Sequence, residues 1–192
     1  MAEAGVLAPR QGLNARQAET VERLLAAGEA ELDEVGPEAL TVRTVAHRAG
    51  VSPATAYTYL ASKNHLFAEL FWRRLVTEPG PEPSGADRVE RLRVVTRHMA
   101  RMLAASPHLA TAANIALLGS DPEVERLRLV IGAEFVRRFR AAIGEPADPR
   151  VLEALTFAFS GALLQAGMGL VTYDELSDRL DDVVAVIMEG AR

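Results

Sequence analysis

Residues 49–67 read AGVSPATAYTYLASKNHLF, and this stretch decides the fold. Gly50 ends a short apolar-patterned segment that Thr41 opens, so a helix is expected over Val42 to Ala49. Ser52-Pro53 then starts another. A serine hydroxyl can accept from the orphan N–H groups of a helix start, and proline at the first helical position loses no hydrogen bond. That helix has room only to about Leu60, because Ser62 caps a further one. Two short helices separated by Gly50-Val51-Ser52, with small Ala46, Ala49 and Val51 at their crossing, predict a helix-turn-helix.

The second of these helices presents Pro53, Ala54, Thr55 and Thr58, which are small or hydroxylated. Such a surface can approach base edges without steric bulk, and a threonine methyl can meet a thymine methyl. Tyr57 and Tyr59 flank it with no long apolar run nearby to bury them. Their phenolic O–H groups can donate to phosphates, and Tyr57 can at the same time pack part of its ring on the first helix. Lys63 adds a point charge at the start of the following helix, and Arg43 can reach a guanine edge or a phosphate. The alternative for Arg43 and Lys63 is a solvated surface charge. His47 and His65 read as surface residues rather than DNA readers. Thr41, Ser52 and Ser62 are helix caps first.

Outward from this stretch nearly everything punctuates as helix. Asn14 can cap a helix carrying Val21, Leu24, Leu25, Leu32 and Val35, stopped by Gly36-Pro37. Ser62 begins one with Leu66, Phe67, Leu70, Phe71 and Leu75. The run EPGPEPSG at 78–85 is the strongest linker and is taken as a domain boundary. Beyond it lie a helix with a stripe at Val89, Leu92, Thr96, Met99 and Leu103, and three cap-plus-proline starts at Ser106-Pro107, Asp121-Pro122 and Asp148-Pro149. A last helix is expected from near Tyr173 or Asp174. No strand-like alternation is sustained, so the fold class is all-α. The expected organisation is a tail over 1–13, a helix-turn-helix domain over 14–77 and a second helical domain over 84–192.

The chain has 192 residues, of which 49% are apolar, and a formal net charge of −5. A packed core is expected and wholesale disorder is not. With no cysteine there are no disulfides, thiolate metal sites or cysteine nucleophiles. From Leu40 to Thr77, however, five basic residues (Arg43, Arg48, Lys63, Arg73, Arg74) face one acid, Glu69. Local binding is decided by such an island and not by total charge. The N-terminus lacks the apolar core of a signal peptide. Residues 151–171 are apolar but interrupted by Glu153, Thr156, Ser160 and Gln165, which reads as a buried helix rather than a membrane span. No H-E-x-x-H, di-iron E-x-x-H, phosphate-binding glycine loop or G-x-S-x-G occurs, so no enzyme, no catalytic residue, no metal and no cofactor is expected.

The segment LTVRTVAHRAGVSPATAYTYLASKNHLF resembles the signature of the TetR family of bacterial repressors. It carries the L-T-x-R opening, the A-G-V-S turn, the T-x-Y centre and the S-K-x-x-L close, and the match extends from about Ala15 to Leu75. The resemblance implies phosphate contacts from Thr41, Tyr57, Tyr59 and Lys63, and base reading by Arg43, Thr55 and Thr58. Ala56, where the family usually has a larger apolar residue, and Tyr59, where Phe or His is common, depart from the pattern. It further implies a C-terminal domain that binds a small effector and dimerises, and hence a cytoplasmic, nucleoid-associated bacterial regulator: a homodimeric repressor on a pseudo-palindromic duplex DNA operator.

The residues agree at two points. Ala154, Ala158, Ala162 and Ala166 form a small-residue ridge with Gly161 beside it, and the last helix has an apolar face with Leu180, Val184 and Ile187; by resemblance these build the dimer interface, the alternative being intramolecular packing. His98, Met99, Met102, Asn114, Phe135, Phe139 and Gln165 are the candidate lining for a mostly apolar effector, the alternative being plain core. Arg93, Arg97 and Arg101 read as a solvated face. The rival function is a helical small-molecule-binding or scaffolding protein without DNA binding, which leaves the Thr41 to Lys63 constellation unexplained.

Overall fold

A computed structural model describes residues 14–191, and every regular element among them is an α-helix. The chain divides between Glu78 and Pro79 into two compact units, but not by a single cut. The first unit takes the chain up to Glu78 and also Ile115–Arg128; the second takes Pro79–Asn114 and everything from Leu129 onward. The tail expected over 1–13 lies outside the described residues.

In the first unit, α1 (Ala15–Ala39) is capped by Asn14, whose side chain accepts from Gln17 N–H while the Gln17 side chain accepts from Asn14 N–H. The expected stop at Gly36 is a break inside this element: Gly36 sits at φ 76°, and Pro37–Ala39 add one further turn beyond it. Next come α2 (Val42–Arg48), α3 (Pro53–Tyr59) and α4 (Lys63–Thr77). Leu24, Leu32, Val45, Ala46, Ala56, Leu60 and Leu66 are buried where these helices meet. Burial of each large side chain is worth about 1.5–3 kcal/mol. Gly28 lets α1 and α4 come together: a Cβ there would stand 2.9 Å from Leu66 Cδ1.

The second unit contains α5 (Arg88–Ala104), most of α6 (Pro107–Leu118) and α7 (Pro122–Ile143), then α8 (Pro149–Gly167) and α9 (Leu176–Glu189). The three cap-plus-proline signals all mark helix starts. The last helix begins later than expected, because Thr172 and Glu175 close a turn in which the Glu175 carboxylate accepts from Thr172 N–H at 2.8 Å. The stripe of α5 is buried at Leu92, Thr96, Met99 and Leu103, and α9 packs on α5 and α8. Phe159 meets Phe135 and Phe139 edge-on, with ring centroids 5.0 and 5.8 Å apart. Arg97 does not stand in solvent alone: its guanidinium donates to Asp181 of α9 at 2.8 Å.

Glu134 accepts from both Arg137 and Arg138 at 2.7–2.8 Å. Burial by itself would raise its pKa, but these hydrogen bonds outweigh it and hold the carboxyl below its ordinary value. A depressed folded-state pKa gives stability that is present above the unfolded value and is lost as pH falls through the folded one.

Candidate nucleic-acid interface

Local chemistry fixes the two short helices. Thr41 Oγ1 accepts from Thr44 N–H at 3.1 Å, and Thr44 Oγ1 accepts from Thr41 N–H at 3.1 Å, a reciprocal cap built from two threonines. Gly50 at φ 66° makes the turn, in the left-handed region that suits glycine, and Val51 N–H closes onto Ala46 O. Ser52 Oγ then accepts from Thr55 N–H at 3.0 Å. Ala56 is fully buried, and its small size sets how closely α3 lies on α2. A larger residue here would overpack the crossing and shift α3.

The face of α3 left to solvent carries Pro53, Ala54 and Thr58, with Thr55 half-buried. Thr58 Oγ1 donates to Ala54 O, so what it offers outward is a methyl and an acceptor oxygen. Tyr57 is half exposed and Tyr59 half-buried. Arg43 is exposed at the start of α2. The predicted residues of α2, α3 and the start of α4 therefore belong to one continuous stretch of a single unit.

Lys63 makes contacts within the fold that the sequence did not announce. Its ammonium donates to Pro37 O at 3.0 Å and Glu38 O at 3.3 Å. The helix ends at Ala39, so these last-turn carbonyls have no helical partner, and that helix end is the signal that could have revealed them. The third N–H of the ammonium is available to a phosphate.

The basic island is weaker than its count suggests. Arg73 pairs with Glu22 at 2.5 Å, Arg74 with Glu29 at 3.0 Å, and Arg48 with Glu31 at 2.7 Å and with Glu34. These acids lie on α1, outside the window that was counted. The hydrogen bonds from Arg48 and then Thr44 hold the Glu31 carboxyl below its ordinary pKa, so this α1–α2 clamp weakens as pH falls through that value.

His65 is not a surface residue. It is 3% exposed, and its Nδ1 accepts from Ala61 N–H at 3.2 Å. With Nδ1 occupied as an acceptor, the proton sits on Nε2 and points to Glu69 Oε1, 3.3 Å away. Glu69 is also buried, and Arg126 of α7 stands 3.8 Å from it. Beside this chain, Ser62 Oγ accepts from His65 N–H and donates to Asp121 Oδ2 at 2.5 Å. Two polar relays from the segment 115–128 thus end at the turn that follows α3. Asp121→Ala removes one of them. It should cost about 0.5–1.5 kcal/mol and raise amide exchange at His65, measured by hydrogen–deuterium exchange; unchanged exchange would show that the relay does not hold the turn.

The residues marked for an effector fall in different places. Met99, Met102, Phe135 and Phe139 are buried. Asn114 Nδ2 donates to Leu163 O at 2.8 Å. His98 borders a small cleft of about 200 Å³ with Val95, Arg138 and the proline-rich 79–83 segment. Gln165 is exposed on α8, in a groove with Ala158, Gly161, Ala162 and Val183. Of the residues marked for dimerisation, Leu180, Val184 and Ala166 are 3%, 1% and 6% exposed within the single chain, so they belong to its own core. The apolar side chains that α8 and α9 leave open are others: Phe157, Leu164, Met168, Val183 and Val186.

A sequence profile described as bacterial regulatory proteins, tetR family, matches residues 24–70, which contain α2, α3 and the cap of α4. An HTH-type transcriptional regulator of Mycobacterium tuberculosis is 46% identical over 93% of this chain and 84% of its own length. The chain belongs to the TetR family of bacterial transcriptional regulators. This TetR-family chain is also 27% identical to the HTH-type transcriptional repressor KstR of Mycobacterium tuberculosis, over 95% of this chain and 87% of that one. Its fold matches the crystal structure of a TetR transcriptional regulator from Rhodococcus sp. RHA1 with a TM-score of 0.72, at 21% identity, over 91% of this chain and 98% of that chain. It is a DNA-binding transcriptional regulator of TetR type. No helix among the described residues is long and apolar enough to cross a membrane.

Proposed function

We propose that the protein is a homodimeric repressor that binds a pseudo-palindromic operator through α3 and is released by a mostly apolar small molecule. The observation that carries the DNA site is the outward face of α3, made of Pro53, Ala54, Thr55 and Thr58, with Tyr57, Tyr59, Arg43, Thr41 and Lys63 around it. Small side chains at the centre read base edges, while hydroxyls and charges at the margin fix register on phosphates. Repression is supported by the likeness to KstR, which is named as a repressor.

The homodimer rests on the open apolar side chains of α8 and α9. Exposed apolar patches of this kind mark interaction surfaces. Two copies place two reading helices on one duplex, about 34–36 Å or a multiple apart. The effector belongs to the second unit, near Met99, Met102, Asn114, Phe135 and Phe139. A ligand there weakens DNA binding only by favouring one of two conformations, and a coupling of about 1–3 kcal/mol suffices for a switch. The relays from Asp121 and Arg126 to the end of α3 are the physical links through which α6 and α7 bear on the reading helix.

Gel-shift titration against DNA flanking the protein's own gene, repeated with lipids, acyl-CoAs, drugs and aromatic metabolites, tests this reading. A shifted band that one metabolite class abolishes is the expected result; no shift at any concentration below that of non-specific binding refutes it. Lys63→Ala should weaken binding to all sequences alike and lower the salt slope by about one unit per phosphate contact. Loss of the Pro37 and Glu38 contacts should also lower stability by about 1–3 kcal/mol. A changed base preference with an intact salt slope would remove Lys63 from the phosphate contacts. Met102→Trp, which fills the interior, should change the response to ligand and spare DNA binding.

A further inference from the structure

We infer that α1 carries a second phosphate-binding edge, in which Arg16 and Arg23 grip the DNA backbone beside the reading helix. This rests on the DNA-binding reading of α3 and extends it to a helix outside the helix-turn-helix. A cleft of about 350 Å³ runs between the first turns of α1 and the start of α3. From α1 it is lined by Arg16, Gln17, Thr20 and Arg23, and from the other side by Ser52, Thr55 and Tyr59. Positions 16, 20 and 23 share one helical face. The lining holds two guanidiniums and no carboxylate.

The charge pattern of α1 gives this edge its meaning. Four of its seven acids are held in intramolecular pairs, Glu22 with Arg73, Glu29 with Arg74, and Glu31 and Glu34 with Arg48, while Glu19 lies between the two arginines in sequence but does not line the cleft. Arg16 and Arg23 are exposed and in no ion pair among the described residues. Two unspent cations therefore stand at the rim of the helix end that enters the major groove. When Ser52 and Thr55 approach base edges, the sugar–phosphate strand bounding that groove lies against the cleft. Guanidiniums match phosphate geometry, and Gln17, Thr20 and Tyr59 supply hydrogen bonds that carry no sequence information. The ligand is the phosphodiester backbone of duplex DNA.

The test compares Arg16→Gln, Arg23→Gln and Arg150→Gln with the wild-type full chain on one specific and one unrelated duplex across a salt series. Arg150 is 90% exposed on the second unit and serves as the equal-charge control. Each α1 variant loses two phosphate contacts per homodimer, so the slope of log affinity against log salt should fall by about 1.8. Between 50 and 200 mM salt that corresponds to about tenfold less loss of affinity. Relative preference for the specific duplex should stay unchanged, and Arg150→Gln should keep the wild-type slope. Wild-type slopes in both α1 variants overturn the inference and leave the α3 reading standing; so does an equal fall in Arg150→Gln. A wild-type protein that binds neither duplex overturns both readings.

Discussion

Phe157→Asp will leave a folded protein that sediments as a monomer at micromolar concentration and binds its operator about 10²–10⁴-fold more weakly. Phe157 is 70% exposed on α8, so the fold loses little by the change, while a homodimer would have to bury the new carboxylate. Val186 on α9 is 69% exposed and joins the same apolar surface across the α8–α9 pair. Operator affinity falls because the second half-site is no longer engaged by a tethered reader, which removes the gain from effective concentration. Ala158→Glu and Ala162→Glu, at partly exposed positions in the adjoining groove, should act in the same direction. Dimeric variants at all of these positions would place the interface elsewhere.

The second large effect is on stability. Phe159 is 2% exposed and meets two other rings edge-on. Phe159→Ala should lower the free energy of unfolding by about 3–5 kcal/mol, seen as a lower urea midpoint. It also asks what the interior is for. Phe135 and Phe139 are packed against Phe159, so the variant opens an apolar cavity beside them. A small aromatic molecule such as benzene should recover part of the lost stability, because an apolar cavity stays dry and accepts apolar guests. A cost below 1 kcal/mol would mean that the three rings do not form a packed core.

The helix-turn-helix was legible because its signals are local. Thr41, Gly50, Ser52-Pro53 and Ser62 act within three or four residues, and each cap is found where the hydroxyl spacing placed it. The cap-plus-proline starts of α6, α7 and α8 were legible for the same reason. What was not legible depends on distant partners. His65 is the exception: its partners Ala61 and Glu69 are each four residues away, and what hides them is burial, since a histidine has the same local pattern whether exposed or buried. The basic island lost three of its five charges to α1 acids that a window count cannot see. Leu180 and Val184 share an apolar face with Ile187, and periodicity alone cannot tell a face turned to α5 from one turned to a second chain. The assignment of Ile115–Arg128 to the first unit is likewise invisible to a linker search, because two helices run through the division without a break.

Selection of bound duplexes from a randomised DNA pool tests the central claim most directly, that α3 reads DNA as one of a pair. The account predicts enrichment of an inverted repeat whose half-site centres lie about one helical turn or a multiple apart, with the preferred bases altered when Thr55 or Thr58 is replaced by alanine. A correctly folded protein that enriches no sequence, or enriches one whose preferred bases are indifferent to Thr55, Thr58 and Arg43, would contradict it.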